Sequence, residues 1–565
     1  MGGAARPRSV VGRPAGCGAG AGAGSPVVTL SSSEHARAVV RALVDAGVRE
    51  VVVSPGSRNA PLSFAVFDAA AAGVLRLHTR IDERSGAFLA LGLAKTGPRA
   101  AVLCTSGTAV ANLHPALLEA AHAGVPLVAV TADRPPRLRG TGANQTTDQV
   151  GVFGPLVRTV EAEASAPWVV PEGVVHLNVP LDDPLVPVDA AGRGSWGEPR
   201  PDAGRPRRER PVMPLLDPGP RTVVVAGDDA GPPARLLAQA GGWPLLAEPT
   251  SGSRTGTHPI RTYRVLLGDD APDSLTAQIE RVVVFGHPTL SRPVMRLLAR
   301  PDVEVLAGPA PGVWNARPFR VDAELAGWDP DPLQAPGAAG WLEAWRAADA
   351  SVSRRLDALL AAEPRLTPHE VAGAVSGAVR GGGLLFVGAS NPVRDLDLMA
   401  GMPGARYAVG DRRKVIANRG LAGIDGTIST AIGAALGRPS SSHAIALMGD
   451  VTFLHDSGGL VRGPDEPEPD LVIVVVNDDG GSIFATLEQG APEHIDRFER
   501  LFGTPHGVDL GALCAATRTP HVRVDSLPEL EQALASPNGG IEVVEARVDR
   551  SGRRDLDTRI RALRP

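Results

Sequence analysis

Residues Ala444–Leu460 read AIALMGDVTFLHDSGGL, and Leu471–Phe484 read LVIVVVNDDGGSIF. Each stretch opens as an unbroken aliphatic run, the signature of a strand buried on both faces, and one residue beyond each run stands an acid: Asp450 after Gly449, Asp478 after Asn477. Strands buried on both faces belong to parallel sheets covered by helices, whose ligands bind beyond the carboxyl ends of the strands. The two acids therefore stand where a ligand site is expected.

The same alternation of short apolar strands with helix-period segments extends through the chain. EVVVSPG, AAVLCTS and PLVAVTA read as strands of a first parallel-sheet domain spanning 26–190. Residues 191–211 are rich in Gly, Pro and Arg and read as an exposed linker. RTVVVAGDD, WPLLAEPT, RVVVFGHPT and VEVLAGP then mark a central unit at 212–345, without the dinucleotide fingerprint GxGxxG. A connecting helix, WLEAWRAADASVSRRLDALLAAEP, leads into a third domain at 346–565 with strands GLLFVGAS, RYAVG, HAIALMGD, DLVIVVVND and IEVVEARV. The expected fold is α/β, three doubly wound parallel-sheet domains, with no sequence repeat among them.

Composition narrows the function. The 565 residues are 43% hydrophobic but only 4% aromatic, so the cores are aliphatic. A net charge of −5, with no basic cluster interleaved with aromatics, disfavours nucleic acid as a partner. Cys17, Cys104 and Cys514 lack metal-ligand or redox spacing and read as inert packing residues of a reducing compartment. Residues 1–25 read as a disordered Gly/Ala-rich tail without the apolar segment of a secretory signal, and no apolar run approaches the roughly 20 residues of a membrane helix. The expected location is cytoplasmic, with no integral membrane segment.

Two converging carboxylates are costly unless a cation lies between them, and oxygen donors without Cys or His favour magnesium or calcium over zinc. Gly449 before Asp450, and Gly480 and Gly481 after Asp479, let backbone groups approach a charged ligand closely. A lone Asp-Gly pair is usually a turn or cap; two linked motifs shift the balance. Together they resemble the thiamine diphosphate motif, Gly-Asp-Gly followed about 25 to 30 residues later by Asn-Asn. Here GDV replaces Gly-Asp-Gly and NDDGG replaces the Asn pair. The resemblance makes Asp450, Asp478 and the Gly480 carbonyl the metal ligands, with Asn477 the alternative if the register shifts by one. It implies thiamine diphosphate and Mg2+, with Mn2+ as a substitute.

That class also needs a carboxylate beside the cofactor's aminopyrimidine, expected in the first domain. Glu83, in HTRIDERSGAFLALG, resembles it, with Asp82 the local rival. The wider set SPGSRNAPLSFA, DERSGAFLALG, TSGTAVANLHPALLEA, TADRPPRLRGTGANQTTDQ, GASNPVRDLD, NRGLAGIDGTIST and NDDGGSIFATLE is similar to the 2-succinyl-5-enolpyruvyl-6-hydroxy-3-cyclohexene-1-carboxylate synthase family of menaquinone biosynthesis. The similarity covers nearly all of the first and third domains, which it implies bind the pyrimidine and the diphosphate.

The family's reaction is decarboxylation of 2-oxoglutarate and addition of the resulting succinyl carbanion to isochorismate. Both substrates carry several carboxylates, which guanidinium groups grip well. Arg58, Arg134, Arg394 and Arg419 match substrate-binding arginines, with Ser57, Gln145 and Ser390 as polar neighbours; Arg292 is a looser match. Ile424 resembles the residue wedged between the two cofactor rings, and Ile483 and Phe484 resemble pocket walls, although each alone reads equally as core. Nothing in the sequence gives His78, His114 or His122 a titrating role rather than a packed one. Glu83 and the metal motif lie on separate domains, which in this class meet across two chains, so a homodimer or homotetramer is expected. The runners-up are another thiamine diphosphate-dependent 2-oxoacid decarboxylase or carboligase, and a non-catalytic metabolite-binding paralogue.

Overall fold

The two aliphatic runs are neighbouring strands in one of three all-parallel sheets. The computed structural model describes residues 30–164, 167–186, 196, 219–308, 310, 312–313, 316–325, 338–400, 413–441 and 443–565. The first sheet contains β1 (Val48–Val53), β2 (Arg76–Thr79), β3 (Arg99–Cys104), β4 (Leu127–Asp133), β5 (Arg158–Glu161) and β6 (Val175–Pro180), in the order β2-β1-β3-β4-β6-β5. The central sheet contains β7 (Thr222–Ala226), β8 (Leu245–Ala247), β9 (Arg281–Phe285), β10 (Glu304–Ala307) and β11 (Ala323–Glu324), in the order β11-β10-β9-β7-β8. The third contains β12 (Leu384–Val387), β13 (Lys414–Ile416), β14 (Ala444–Gly449), β15 (Leu471–Asn477), β16 (His521–Val524) and β17 (Ile541–Arg547), in the order β13-β12-β14-β15-β17-β16. Counted from its first strand, the third sheet repeats the order of the first. The fold is thus α/β with three doubly wound units, two of them topological copies without a matching sequence.

The strands missed in the sequence lie mainly at sheet margins. β5 and β16 are edge strands, with most of their side chains exposed or half-buried, and β13 is a half-buried edge strand of Lys414, Val415 and Ile416. A strand covered on one side only does not need a continuous apolar run, so it leaves little pattern to read. The expected strand RYAVG falls at 406–410, outside the described residues, as do the tail at 1–25 and, apart from Trp196, the linker at 191–211. Trp196 lies under the Arg37 guanidinium, 4.7 Å from the ring centroid.

The first and third units share a core. Helix Glu83–Thr96 packs on helix Thr427–Leu436, and one apolar cluster runs from Val102 through Leu91 and Ile432 to Ile473. The helices meet at glycines: a Cβ on Gly92 would lie 2.1 Å from the Thr430 carbonyl oxygen, and one on Gly433 2.1 Å from that of Leu89. The connecting helix, Trp341–Ala361, joins the central and third units through Trp341 and Trp345, whose rings meet edge-to-face at 5.8 Å. Central-unit side chains also grip helix Asn391–Met399. The fully buried Asp397 accepts from Arg254 Nη1 at 2.9 Å and from the Tyr263 hydroxyl at 3.0 Å, and Arg264 Nη1 donates to the Arg394 carbonyl oxygen at 2.9 Å.

Candidate active site

Register brings the acids together. β14 pairs with β15 so that Gly449 lies opposite Val476, and the chain leaves the sheet at Asp450 on one strand and at Asn477 and Asp478 on the next. A cleft of about 140 Å³ opens there, lined by Ser390, Ile424, Gly449, Asp450, Asp478 and Gly480, with Ile483 and Phe484 forming part of its wall. These residues follow β12, β14 and β15 or lie on the loop before helix Thr427–Leu436, at the carboxyl ends where a doubly wound sheet binds ligands.

Asp450 is 2% exposed and its carboxylate is held on both oxygens. Oδ1 accepts from the Val451 amide at 2.7 Å; Oδ2 accepts from the Gly480 amide at 2.9 Å and lies 3.1 Å from His506 Nε2. Burial, and next the neighbouring Asp450 charge, push the Asp478 carboxyl up to about 7, against a hydrogen bond from Ser482 and the charges of Arg553 and Arg550. Asn477 turns elsewhere: its side-chain amide donates to Glu545 Oε1 at 2.7 Å, its carbonyl oxygen accepts from the Asp479 amide at 3.0 Å, and it does not line the cleft.

The donor set suits a hard cation. No group of three His, Cys, Asp or Glu side chains is arranged around a metal position among the described residues. Asp450 and Asp478 can supply carboxylate oxygens and leave the remaining positions to a carbonyl, phosphate and water, the sphere magnesium prefers. A Cβ on Gly449 would meet nothing within 4 Å, so the backbone there stands open to the cleft. Gly480, at φ 148°, has no such room: a Cβ would lie 2.1 Å from the Gly503 carbonyl oxygen. The residues present therefore fit a metal-bound diphosphate.

A second group gathers at the carboxyl ends of β1, β3 and β4. Arg134 is 7% exposed and donates from Nη1 to Ser106 Oγ at 2.8 Å and from Nη2 to the Asn144 carbonyl oxygen at 2.6 Å. Burial, then the adjacent Arg58 charge, lowers the Arg134 pKa below the usual arginine value, marking a place where cations crowd and an anion is welcome. Gln145, at φ 56°, donates to the Ser106 carbonyl oxygen at 2.8 Å, and Arg58 Nη1 donates to that of Leu181 at 3.2 Å; Ser57 is exposed beside them. Glu83 opens helix Glu83–Thr96. Asp82 is its N-cap, accepting from the Arg84 and Ser85 amides at 2.8 and 3.3 Å, so the rival carboxylate is engaged in capping.

Not every sequence candidate joins these groups. Glu83 does not line the cleft beside Asp450 in the single chain. Arg292 pairs with Glu488 at 2.7 Å on the surface, both side chains about 70% exposed or more, also outside the cleft. Arg394 donates to the Ser390 carbonyl oxygen at 2.6 Å, and the buried Arg419 donates to Thr289 Oγ1 at 2.8 Å. His78 is spent on Glu50 at 2.9 Å, and His114 packs edge-on against Phe153 at 5.7 Å. Cys104 and Cys514 are buried free thiols whose pKa values burial raises. Sequence reasoning missed His506, which lies in TPHG without any fixed spacing to Asp450, and Asn391, whose side chain donates to Ser482 Oγ at 2.9 Å.

The thiamine pyrophosphate enzyme N-terminal TPP binding domain matches residues 33–152, and the corresponding C-terminal TPP binding domain matches 399–544. A 2-succinyl-5-enolpyruvyl-6-hydroxy-3-cyclohexene-1-carboxylate synthase of Nocardioides sp. is 67% identical over 95% of this chain and 98% of that protein. Synthases of the same name from Arthrobacter sp. and Paenarthrobacter aurescens are 48% and 47% identical, each over 94% of this chain and over 92% and 97% of those proteins. With both cofactor-domain matches and this identity along nearly the whole chain, the protein belongs to the 2-succinyl-5-enolpyruvyl-6-hydroxy-3-cyclohexene-1-carboxylate synthase family of thiamine pyrophosphate enzymes.

Proposed function

We propose that the chain catalyses thiamine diphosphate- and Mg2+-dependent decarboxylation of 2-oxoglutarate and transfer of the succinyl unit to isochorismate, a step of menaquinone biosynthesis. The observation that carries the reading is the buried pair Asp450 and Asp478 at the foot of a cleft walled by Ile424, Ile483 and Phe484, in a chain of this family.

Bound thiamine diphosphate supplies a nucleophilic carbon and an electron sink for the departing carbon dioxide. Asp450, Asp478 and the Gly480 carbonyl would hold the metal, with Asp478 assigned over Asn477 because only Asp478 lines the cleft. Glu83 Oε holds a proton against the pyrimidine nitrogen. Ile424 would pack against the bound cofactor, while Ile483 and Phe484 wall the cleft and would exclude water. Arg58, Arg134, Arg394 and Arg419 bind substrate carboxylates, oriented by Ser57, Gln145 and Ser390; Arg292 serves as an outer contact after release from Glu488.

The complete site needs Glu83 from a second chain, so the working unit is a homodimer or a homotetramer built from it. Exposed apolar side chains on the first unit, Phe64 (47%), Phe67 (61%) and Ile81 (74%), support such an interface. No helix among the described residues is long and apolar enough to cross a membrane, and we place the reaction in the cytoplasm.

The test is carbon dioxide release from 2-oxoglutarate with Mg2+ and thiamine diphosphate, with and without isochorismate. Acceleration by isochorismate together with a succinylated cyclohexene carboxylate product supports the assignment. Release that ignores isochorismate leaves a 2-oxoacid decarboxylase in its place.

A further inference from the structure

Loop 417–426 carries both Arg419 and Ile424 but contains no helix or strand of its own. Its backbone enters the left-handed region at Ala422, φ 57°, and at Gly426, φ 54°. Such a loop holds its shape only through external partners. Asn418 Nδ2 donates to Thr430 Oγ1 at 3.0 Å, a tie within the third unit. Two further ties come from the first unit. Lys95 Nζ donates to the Ala417 carbonyl oxygen at 2.9 Å, and Glu119, on helix His114–Ala123, accepts from the Gly420 amide at 2.8 Å and from the Leu421 amide at 2.7 Å.

Glu119 is 4% exposed and does not line the Asp450 cleft. Gly420 approaches its helix so closely that a Cβ would lie 2.7 Å from the Glu119 carbonyl oxygen. One buried carboxylate taking two consecutive amides is directional and strong, and both amides lose that partner if it is removed. Arg419, the residue before this clamp, is itself buried, so its guanidinium has little freedom to compensate for a moved backbone.

We infer that Glu119 is a positioning residue for succinyl transfer: by fixing the Gly420 and Leu421 amides it sets the place of Arg419 on one side and of Ile424 on the other. The inference rests on the reading of Arg419 as a substrate-carboxylate ligand. The first unit then contributes to catalysis twice, once through residues it presents to a reacting site and once by shaping the third unit's loop within the same chain. Misplacement of a binding group by about 1 Å can cost about a hundredfold in rate.

The experiment combines amide hydrogen exchange of the full-length protein with steady-state kinetics on Glu119→Ala, Glu119→Gln and Arg419→Ala. In Glu119→Ala, exchange at Gly420 and Leu421 should accelerate about tenfold or more. The KM of whichever acid substrate Arg419→Ala weakens should rise in the same variant. Glu119→Gln keeps one acceptor oxygen and turns a donor toward the other amide, so its effects should be intermediate; it also carries the test if Glu119→Ala does not fold. Unchanged exchange, or an opened loop with that KM unchanged, overturns the inference. Unchanged KM values in Arg419→Ala overturn the reading of Arg419 instead, with the loop measurement still reporting on the clamp itself.

Discussion

Asn477 and Asp478 are adjacent in sequence yet serve opposite sides of one strand end: Asn477 donates to the buried Glu545 at 2.7 Å, while Asp478 lines the cleft with Asp450. Side chains alternate along an extended chain, so one residue of register decides which of the two faces the ligand. Asp478→Ala should therefore abolish Mg2+-dependent binding of thiamine diphosphate, read by titration calorimetry. Asn477→Ala should leave Mg2+ affinity within about threefold but cost roughly 1–3 kcal/mol of stability, because Glu545 loses a buried partner.

If Asp478 is a metal ligand as proposed, its titration would tie metal binding to pH. Its folded pKa, near 7, is above its ordinary value, so the neutral form favours the metal-free fold and that contribution fades as pH rises through 7. A cation must displace this proton at lower pH. Apparent Mg2+ affinity should climb from about pH 6 to about pH 8 and then level off. Asp478→Asn has no proton to displace, so its calorimetric affinity should lose this slope.

Glu248 offers a separate test of burial. It is 2% exposed, and burial pushes its carboxyl up to about 8, partly offset by Arg419 and by the Leu290 amide, which donates to Oε1 at 2.9 Å. The folded state keeps a proton that the unfolded chain has released, so stability from this group falls as pH rises toward 8, by up to about 1.4 kcal/mol per unit. Urea denaturation across this range should show a shallower decline in Glu248→Gln than in the parent.

Glu83→Gln should lower kcat by about 10²–10⁴-fold while thiamine diphosphate still binds, because the cleft of Asp450 and Asp478 that would hold its metal and diphosphate is untouched. Single-turnover carbon dioxide release separates this from a binding defect.

Gly433→Val tests the shared core of the first and third units. The new side chain would collide with the Leu89 carbonyl oxygen, a backbone atom that cannot rotate away. Chemical denaturation should show a loss of about 3 kcal/mol or more.

The amino-acid sequence by itself determined the buried strands, because β14 and β15 are continuous aliphatic runs; the paired acids and their glycines were legible from local spacing, whereas the arginines were singled out only by resemblance to the family's motifs. Edge strands β5 and β16 escaped it because a half-covered strand has no obligatory pattern. Only the tertiary structure decided that Asn477 faces Glu545, that His506 meets Asp450, and that Glu119 holds the loop of Arg419. Each of these pairs joins residues far apart in the chain. A hydrogen bond constrains distance in space and leaves no periodic trace in sequence, so such partners emerge only when packing brings the units together.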